Sequence, residues 1–585
     1  MNEQTLFRLR DIFRNSTVLT NDDAKLVILL LLVWARHAAP GLDISPQQLV
    51  KELEHLADSH PVMARAFFDR GLLRQVTPAT LALAVEAVQD AGSEKAAADD
   101  AAPVDLPNLL GLTFASDPSL PALLGALVGP MPGEFVYLPW DDTGQLGAAL
   151  VAHGAQVMTE TPSPAVIAIL ISMLHRKPWQ IEQVNPITER GTLEKPDPLY
   201  EKAAAILPLG GKVSMQWLDR AVPGRFPERT SSAAVLGVRQ LLAVTRTRIV
   251  VAVPNNLLFS SGAENSLRED LLRRGLLRAV VALPAGLLSG TPLALSVLVI
   301  DMCGGIDQVR FVNADTQRFK TVVARARTTL TDPRALASLC FSMVDEPDAV
   351  SVSVQDLLKN GAQLQVNRYV LPETIARAQA MLASVKTVKL EEVVEFLRAP
   401  SIIGEADVAS GSYYEGPKLV LLEVSVADLP EFGYVTKPSR RVQIGPKEPV
   451  AAHALRYADI VLVVKGSVGK VGIVSAAANE DPHYWAASQS ALVLRVRDPS
   501  RIDPRALFMQ LRSPLGQQLL KGIVSGATIP LIQLKELRKL SVILPDAATQ
   551  QRAIDALEAE AVLARQIHQL REEQAFQASS LWQLT

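Results

Sequence analysis

Between Leu109 and Val312, seven short apolar runs (EFVYL, QVMTE, AAAILPL, RIVVAVP, AVVALP, SVLVID and VRFVN) alternate with segments of helical spacing such as Pro164 to Leu174 and Glu264 to Gly275. Alternation of this kind predicts an α/β domain in which crossover helices join the strands of a largely parallel sheet. Ligands of such sheets lie at the carboxyl ends of the strands. The turns after Leu138, Thr159, Ile206 and Val253 are therefore the places to look for binding residues.

The flanks have a different character, and 585 residues are too many for one core, so three or four domains are expected. Residues 1–88 keep helical spacing, as in Leu6, Leu9 and Phe13 and again in Leu26, Leu29, Leu30 and Val33, which predicts a helical N-terminal domain. The run QDAGSEKAAADDAAPVDLPN reads as a linker over 89–108, and the α/β domain is expected over 109–385. From 386 to 546 short strands (KLVLLEV, DIVLVVKG, GKVGIV, SALVLRV, KLSVILP) are separated by Gly/Pro turns, which predicts an α+β domain. Residues 547–585 read as one long helix, with Ile554, Leu557, Ala561, Leu563, Ile567 and Leu570 at near-heptad spacing. That helix is expected to pack on a partner or on the chain itself.

Composition excludes several classes. With 48% apolar and 20% charged residues and a net charge of -3, neither disorder nor a uniformly basic coat is indicated. Cys303 and Cys340 are the only cysteines, so no disulfide framework and no four-cysteine zinc site is expected, and a reducing compartment suits the chain. The most apolar stretch, Leu26 to Ala35, is about half a membrane span and reads as a core helix. The opening MNEQTLFRLRDIF has no signal-like apolar core, so a cytoplasmic protein with no membrane partner is expected.

Positive charge is concentrated instead in one place. Val435 to Asp546 holds 16 Lys and Arg against 8 Asp and Glu, a local net of +8. Such a concentration is what neutralising the phosphates of double-stranded DNA requires. Candidate contacts are Arg440, Arg441, Lys465, Lys470, Ser525 and Thr528, the last four in the Gly-bounded turns KGSVGK and SGATIP. Backbone amides in those turns either hold phosphates or merely shape the loops. KGSVGK lacks the spacing of a Walker loop. Tyr413, Tyr414, Tyr457, Tyr484 and Trp485 are candidates for base contacts or for core.

Val250 to Asp301 contains Pro254-Asn255, then Phe259 to Glu264, then Leu283-Pro284-Ala285-Gly286 and a final strand. In that order these residues resemble the modification subunit of type I restriction-modification systems, an adenine-specific DNA methyltransferase. VRFVNAD and QLQVNRYV continue the resemblance. The C-terminal part, with YADIVLVVKGSVGKVGIV, SQSALVLR and SPLGQQLLKGIVSGATIPLIQLKELRKLSVILPDAATQQRAI before a long helix, is similar to one half of the companion specificity subunit. The resemblance implies a multidomain α/β chain: a helical N-terminal domain, a Rossmann-like methyltransferase domain, and an α+β target-recognition domain with a long terminal helix.

It also implies two turns with defined duties. The first holds the methyl donor, S-adenosylmethionine, and the family writes it Asp-Pro-Ala-Cys-Gly-Thr-Gly-Gly. This chain has LPWDDTGQ there, which keeps Pro139, Thr143 and Gly144 in register but places Leu138 at the acid, Trp140 at a small residue and Asp142 at a glycine. Glu160 stands where the family uses an acid to accept hydrogen bonds from ribose hydroxyls; an ordinary strand-end glutamate is the other reading. The second turn holds the extruded base and is written Asn-Pro-Pro-Phe. Here it reads Ile206, Leu207, Pro208 and Leu209, without amine acceptor or stacking ring. A second register, Asn185-Pro186 in VNPITERG, supplies one Asn-Pro pair but no aromatic.

Two expectations follow. One is a catalytically degenerate methyltransferase-like scaffold, a pseudoenzyme whose hold on S-adenosylmethionine is weakened or lost, acting in DNA recognition, regulation or phage defence. The other is an active adenine-specific DNA methyltransferase with divergent motifs. Because one recognition domain reads one half-site, a homodimer or a partner protein with the complementary specificity half is expected.

Overall fold

The computed structural model describes residues 3–14, 19–37, 44–93, 102–113, 115–162, 165–175, 178–190, 199–214, 216, 224–324, 326–400, 419–444, 453–525 and 530–580. The chain divides into two compact units, Met1–Val370 and Leu371–Thr585.

The first unit opens with helices. The apolar run of the helix Asn21–His37 is buried from Ala24 to Trp34, because other helices and the sheet layer cover it on every side. Among the described residues no helix is long and apolar enough to cross a membrane. The described ends of the expected linker are helical, in Pro78–Ser93 and Ala102–Leu109. Residues 94–101 lie outside the described set.

The core of this unit is a nine-stranded sheet. Its strands are β1 (Phe135–Pro139), β2 (Gln156–Thr161), β3 (Gln180–Gln183), β4 (Tyr200–Ile206), β5 (Thr245–Pro254), β6 (Leu277–Ala282), β7 (Leu295–Asp301), β8 (Gln308–Asn313) and, beyond the hairpin β9 (Lys320–Ala324) and β10 (Arg327–Leu330), β11 (Ala349–Ser353). They lie in the order β11-β8-β6-β7-β5-β4-β1-β2-β3. β1 to β5 run parallel, whereas β7 runs antiparallel to both neighbours and β11 runs antiparallel to β8. Strands buried on both faces carry continuous apolar runs, as in Ile249 to Val253 and Ala203 to Ala205, none of them more than marginally accessible.

Register fixes what shares an edge. Pro139 pairs with Glu160 across β1 and β2, and Ile206 pairs with Ala252 across β4 and β5, so the ends of β1, β2, β4 and β5 are neighbours. Sequence order reverses where β1 meets β4, which makes the crevice there the natural ligand position of such a sheet.

The second unit begins with the helix Glu373–Ala383, whose Ala378 and Leu382 join the core formed with Leu519 and Leu520. The expected boundary after 385 thus falls just past this helix. Two sheets follow. One has four antiparallel strands in the order Val394–Arg398, Ala491–Val496, Ile460–Val463 and Val471–Ile473; the other orders Arg441–Ile444, Leu419–Val424 and Trp485–Ala487. The chain then enters a 34-residue helix, Ala547–Ser580.

That helix packs on its own unit through its first half. Leu557 is fully buried, Glu560 pairs with Arg512 at 2.5 Å, and Glu558 accepts a hydrogen bond from the Tyr434 hydroxyl at 2.7 Å. Gly433, at φ +77°, passes beneath Ala561, where a Cβ would lie 3.4 Å from the helix backbone. Beyond that contact Leu563, Ile567 and Leu570 are exposed.

Candidate functional site

Both turns singled out in the sequence line one cavity. It has a volume of about 260 Å³ and is walled by Pro139 to Thr143 after β1, by Ile206 to Leu209 after β4, and by Thr113, Ser116, Gln145, Leu146 and Leu288. A wider cavity of about 790 Å³ adjoins it, sharing Thr113, Asp142 and Thr143 and reaching Asp22 and Asp23 of the helix Asn21–His37 and the turn residue Arg70.

The turn after β1 is filled by bulky and charged side chains. Trp140 sits at φ +65°, in the left-handed region that suits glycine, and its buried ring packs beside Leu207 over Gly237 of the helix Ala233–Val244. A Cβ on Gly237 would come within 2.8 Å of Leu207. Gly144, also left-handed, begins the helix Gln145–Ala152. Thr143 donates to the Gln145 side chain at 3.2 Å, and Gln145 is itself buried and tied to the Ser116 backbone in both directions at 2.8 Å. A wall of the cavity is thereby fixed.

Two carboxylates in this turn are bound internally. Asp141 is buried and accepts the backbone N–H of Gly147 at 2.7 Å and, more weakly, that of Leu146 at 3.4 Å. Burial pushes its carboxyl up to about 6, against the pull of those amides and with the neighbouring Asp142 adding to the rise. At neutral pH it is still mainly an anion. Asp142 accepts a hydrogen bond from the Thr161 hydroxyl at the end of β2.

Glu160 is enclosed. It is 2% exposed; one oxygen accepts from the Tyr137 hydroxyl at 2.6 Å, and the other is 2.7 Å from the Arg190 guanidinium. Burial raises its pKa in spite of both partners. Arg190 also pairs with Glu182 of β3, and Tyr137 stacks on Tyr200 with centroids 4.5 Å apart. Arg190 comes from the segment that begins at Asn185-Pro186. The Asn185 side chain accepts the N–H groups of Ile187 at 3.0 Å and Thr188 at 3.2 Å, a local turn after the edge strand β3 and away from β4. The second register for a base pocket therefore supplies the cation on Glu160.

The turn after β4 presents hydrocarbon. Leu207 is buried and its N–H bonds to Ala252 of β5 at 3.0 Å, while Ile206, Pro208 and Leu209 are half-buried at the cavity wall. No side chain among these four can accept a hydrogen bond from an amine.

The basic candidates of the second unit have separate surroundings. Arg440 pairs with the buried Glu423 at 2.6 Å and Lys437 with the buried Asp481 at 2.8 Å, yet both cationic side chains remain exposed. Arg441 is exposed opposite Leu422 on the adjoining strand. In KGSVGK, Lys465 is exposed and Lys470 donates to the Val426 carbonyl at 2.8 Å. The amides of Gly466 and Gly469 donate to Pro530 and Val463, which accords with loop shaping. Ser525 lies on a two-residue strand; Thr528, Lys447, Tyr413 and Tyr414 lie outside the described residues. Trp485 is core, whereas Tyr457 and Tyr484 are exposed. Over the whole unit 24 Lys and Arg stand against 23 Asp and Glu, so the positive charge is confined to its central segment. Among the described residues no group of three or more His, Cys, Asp or Glu is placed to hold a metal ion.

Residues 223–378 match the family described as N-6 DNA Methylase, whose members use S-adenosylmethionine. No curated protein sequence matches the chain. Among solved structures, the methyltransferase subunit of a type I restriction-modification system from Streptococcus thermophilus superposes with a TM-score of 0.50 at 16% identity, over 63% of this chain and 98% of that one. A modification subunit of a type I restriction enzyme from Vibrio vulnificus gives 0.42 at 15% identity, over 61% and 93%. The type IIG restriction endonuclease BpuSI gives 0.49 at 10% identity, over 94% and 74%. Residues 223–378 thus carry the N-6 DNA Methylase pattern, in a chain about three-fifths of which has a fold similar to that of a type I restriction-modification methyltransferase subunit.

Proposed function

We propose that this chain is a catalytically inactive methyltransferase-like scaffold that binds double-stranded DNA through its second unit and serves as a recognition component of a restriction-modification or phage-defence system. The observation that carries this reading is the cavity at the β1/β4 switch point, where hydrocarbon side chains stand at all four positions of the base-holding turn. The residues present do not fit S-adenosylmethionine. Its carboxylate would approach Asp141 and Asp142, and its ribose hydroxyls would find Glu160 already enclosed. The family match starts at residue 223, after both turns, and so does not extend to either of them.

DNA binding is assigned to Arg440, Arg441 and Lys465, with Lys437 beside them; phosphate contacts of this kind set affinity and its salt dependence. Leu563, Ile567 and Leu570 on the terminal helix are assigned to a homodimer or to a partner with the complementary half.

The competing reading, an active S-adenosylmethionine-dependent adenine methyltransferase, is favoured by the family match and by the survival of a cavity at the switch point. Methyl transfer from labelled S-adenosylmethionine to mixed-sequence DNA separates the two. No incorporation together with salt-dependent DNA affinity is the expected result; incorporation abolished by Glu160→Ala would establish the competing reading, and no affinity for DNA at low salt would refute both.

A further inference from the structure

We infer that the chain's own side chains engage the helix amides and the strand-end acid that a methyl donor would need, so that the donor site is occupied by the protein itself and is closed to S-adenosylmethionine. This deepens the reading of an inactive scaffold and rests on it.

Three observations converge. First, the N-terminus of the helix Gln145–Ala152 faces the cavity, and such a terminus favours an anion. Its Gly147 and Leu146 amides are taken by Asp141, a buried carboxylate six and five residues before them. A donor's own carboxylate would have to displace a tethered one and then lie beside two aspartates. Second, a ribose diol donates its hydroxyl protons to an acid at a strand end, and Glu160 is the acid at the end of β2. Both its oxygens are already engaged, one by the Tyr137 hydroxyl and one by the Arg190 guanidinium, and almost none of it is reachable. Removing Arg190 would leave the carboxylate buried without its counter-ion, which is strongly unfavourable.

Third, the two internal partners come from separate loops, after the strands on either side of β2. Asp141 lies on the turn after β1, and Arg190 lies beyond β3, the strand at the sheet edge. One local substitution would not produce both. The charged and titratable groups facing Glu160 are Arg190, Tyr137 and Glu182; those facing Asp141 are the helix amides and Asp142.

The test uses the full-length chain. Calorimetric titration and thermal-shift measurements with S-adenosylmethionine and S-adenosylhomocysteine, each to millimolar concentration, are expected to show neither heat nor a shift for the wild type. The double variant Asp141→Gly/Arg190→Ala, with the amides and Glu160 released, is expected to acquire a ligand-dependent rise in Tm. Micromolar binding by the wild type overturns the inference, and so does a folded double variant that still binds nothing. Should that variant not fold, Arg190→Ala alone is compared with Arg190→Lys and with Arg190→Met/Glu160→Gln. The single Ala variant should lose Tm more steeply than wild type as pH rises from 5 to 8, and both comparison proteins should recover; an equal loss at every pH overturns the inference, because a packing role alone would give that. Wild-type donor binding without methyl transfer would sink this inference and leave the proposed function standing, whereas methyl transfer would sink both.

Discussion

Replacing Asp141 by Asn should remove a pH dependence that the wild type carries between about pH 4 and pH 6. Burial raises the Asp141 carboxyl from an ordinary 3.8 to about 6. The folded chain therefore binds a proton that the unfolded chain has released, and stability falls as pH rises through that window. At about 1.4 kcal/mol per pH unit, the fall approaches 3 kcal/mol and is complete above the folded value. Asn keeps one acceptor for the Gly147 amide and has no charge to bury. The second hydrogen bond, to Leu146 at 3.4 Å, is long and contributes little. Urea unfolding of both proteins at half-unit steps from pH 4 to pH 7.5, followed by tryptophan fluorescence, to which Trp140 and Trp179 contribute, gives the difference directly. Carboxylates remote from Asp141 titrate equally in the two proteins and cancel, Asp142 being the coupled neighbour. The variant should gain on the wild type by about 3 kcal/mol across the window; a difference that stays constant with pH would refute the assignment of a buried, ionising Asp141.

Gly147→Ala should destabilise the first unit by about 1 to 3 kcal/mol in the same assay, since a Cβ there would stand 2.5 Å from the Trp179 ring. Arg441→Ala should weaken DNA binding, lower the slope of log K against log salt by about 1 and leave Tm unchanged, measured by fluorescence anisotropy and calorimetry. Arg440→Ala should weaken binding comparably but also lower Tm, because Glu423 is left buried without its partner; Arg440→Ala/Glu423→Gln should recover the Tm and not the affinity. The triple variant Leu563→Glu/Ile567→Glu/Leu570→Glu should be monomeric by light scattering, with the second unit's Tm unchanged, because those side chains are solvent-exposed in the single chain.

The seven apolar runs of the sequence correspond to β1, β2, β4, β5, β6, β7 and β8 within a few residues, because strands covered on both faces must be apolar throughout. β3 and β11 left no such mark: QIEQ and AVSVS lie at the two sheet edges and are only partly covered. The composition of 89–108 suggested a linker, yet its described ends are helical, since alanine and aspartate at a helix end read like a loop when no apolar stripe accompanies them. Of the site, strand alternation pointed to four strand-end turns, two of which line one cavity, and it was the family resemblance that singled out those two. The site's internal ion pairs were not legible in the sequence. Arg190 meets Glu160 across a strand pair thirty residues apart in sequence, and Asp141 differs from Asp142 only in which way the turn sends its side chain. Asp142 was conspicuous because it replaced a glycine, while Asp141 carried the larger consequence.

The Glu160–Arg190 pair bears finally on how the folded population responds to its surroundings. A protein that binds a metabolite only in its native state is stabilised in proportion to the logarithm of that metabolite's concentration, so its abundance follows supply. Here the counter-ion is covalently part of the chain and its effective concentration never changes. The share of the first unit's stability that this pair carries is accordingly independent of the supply of any ligand.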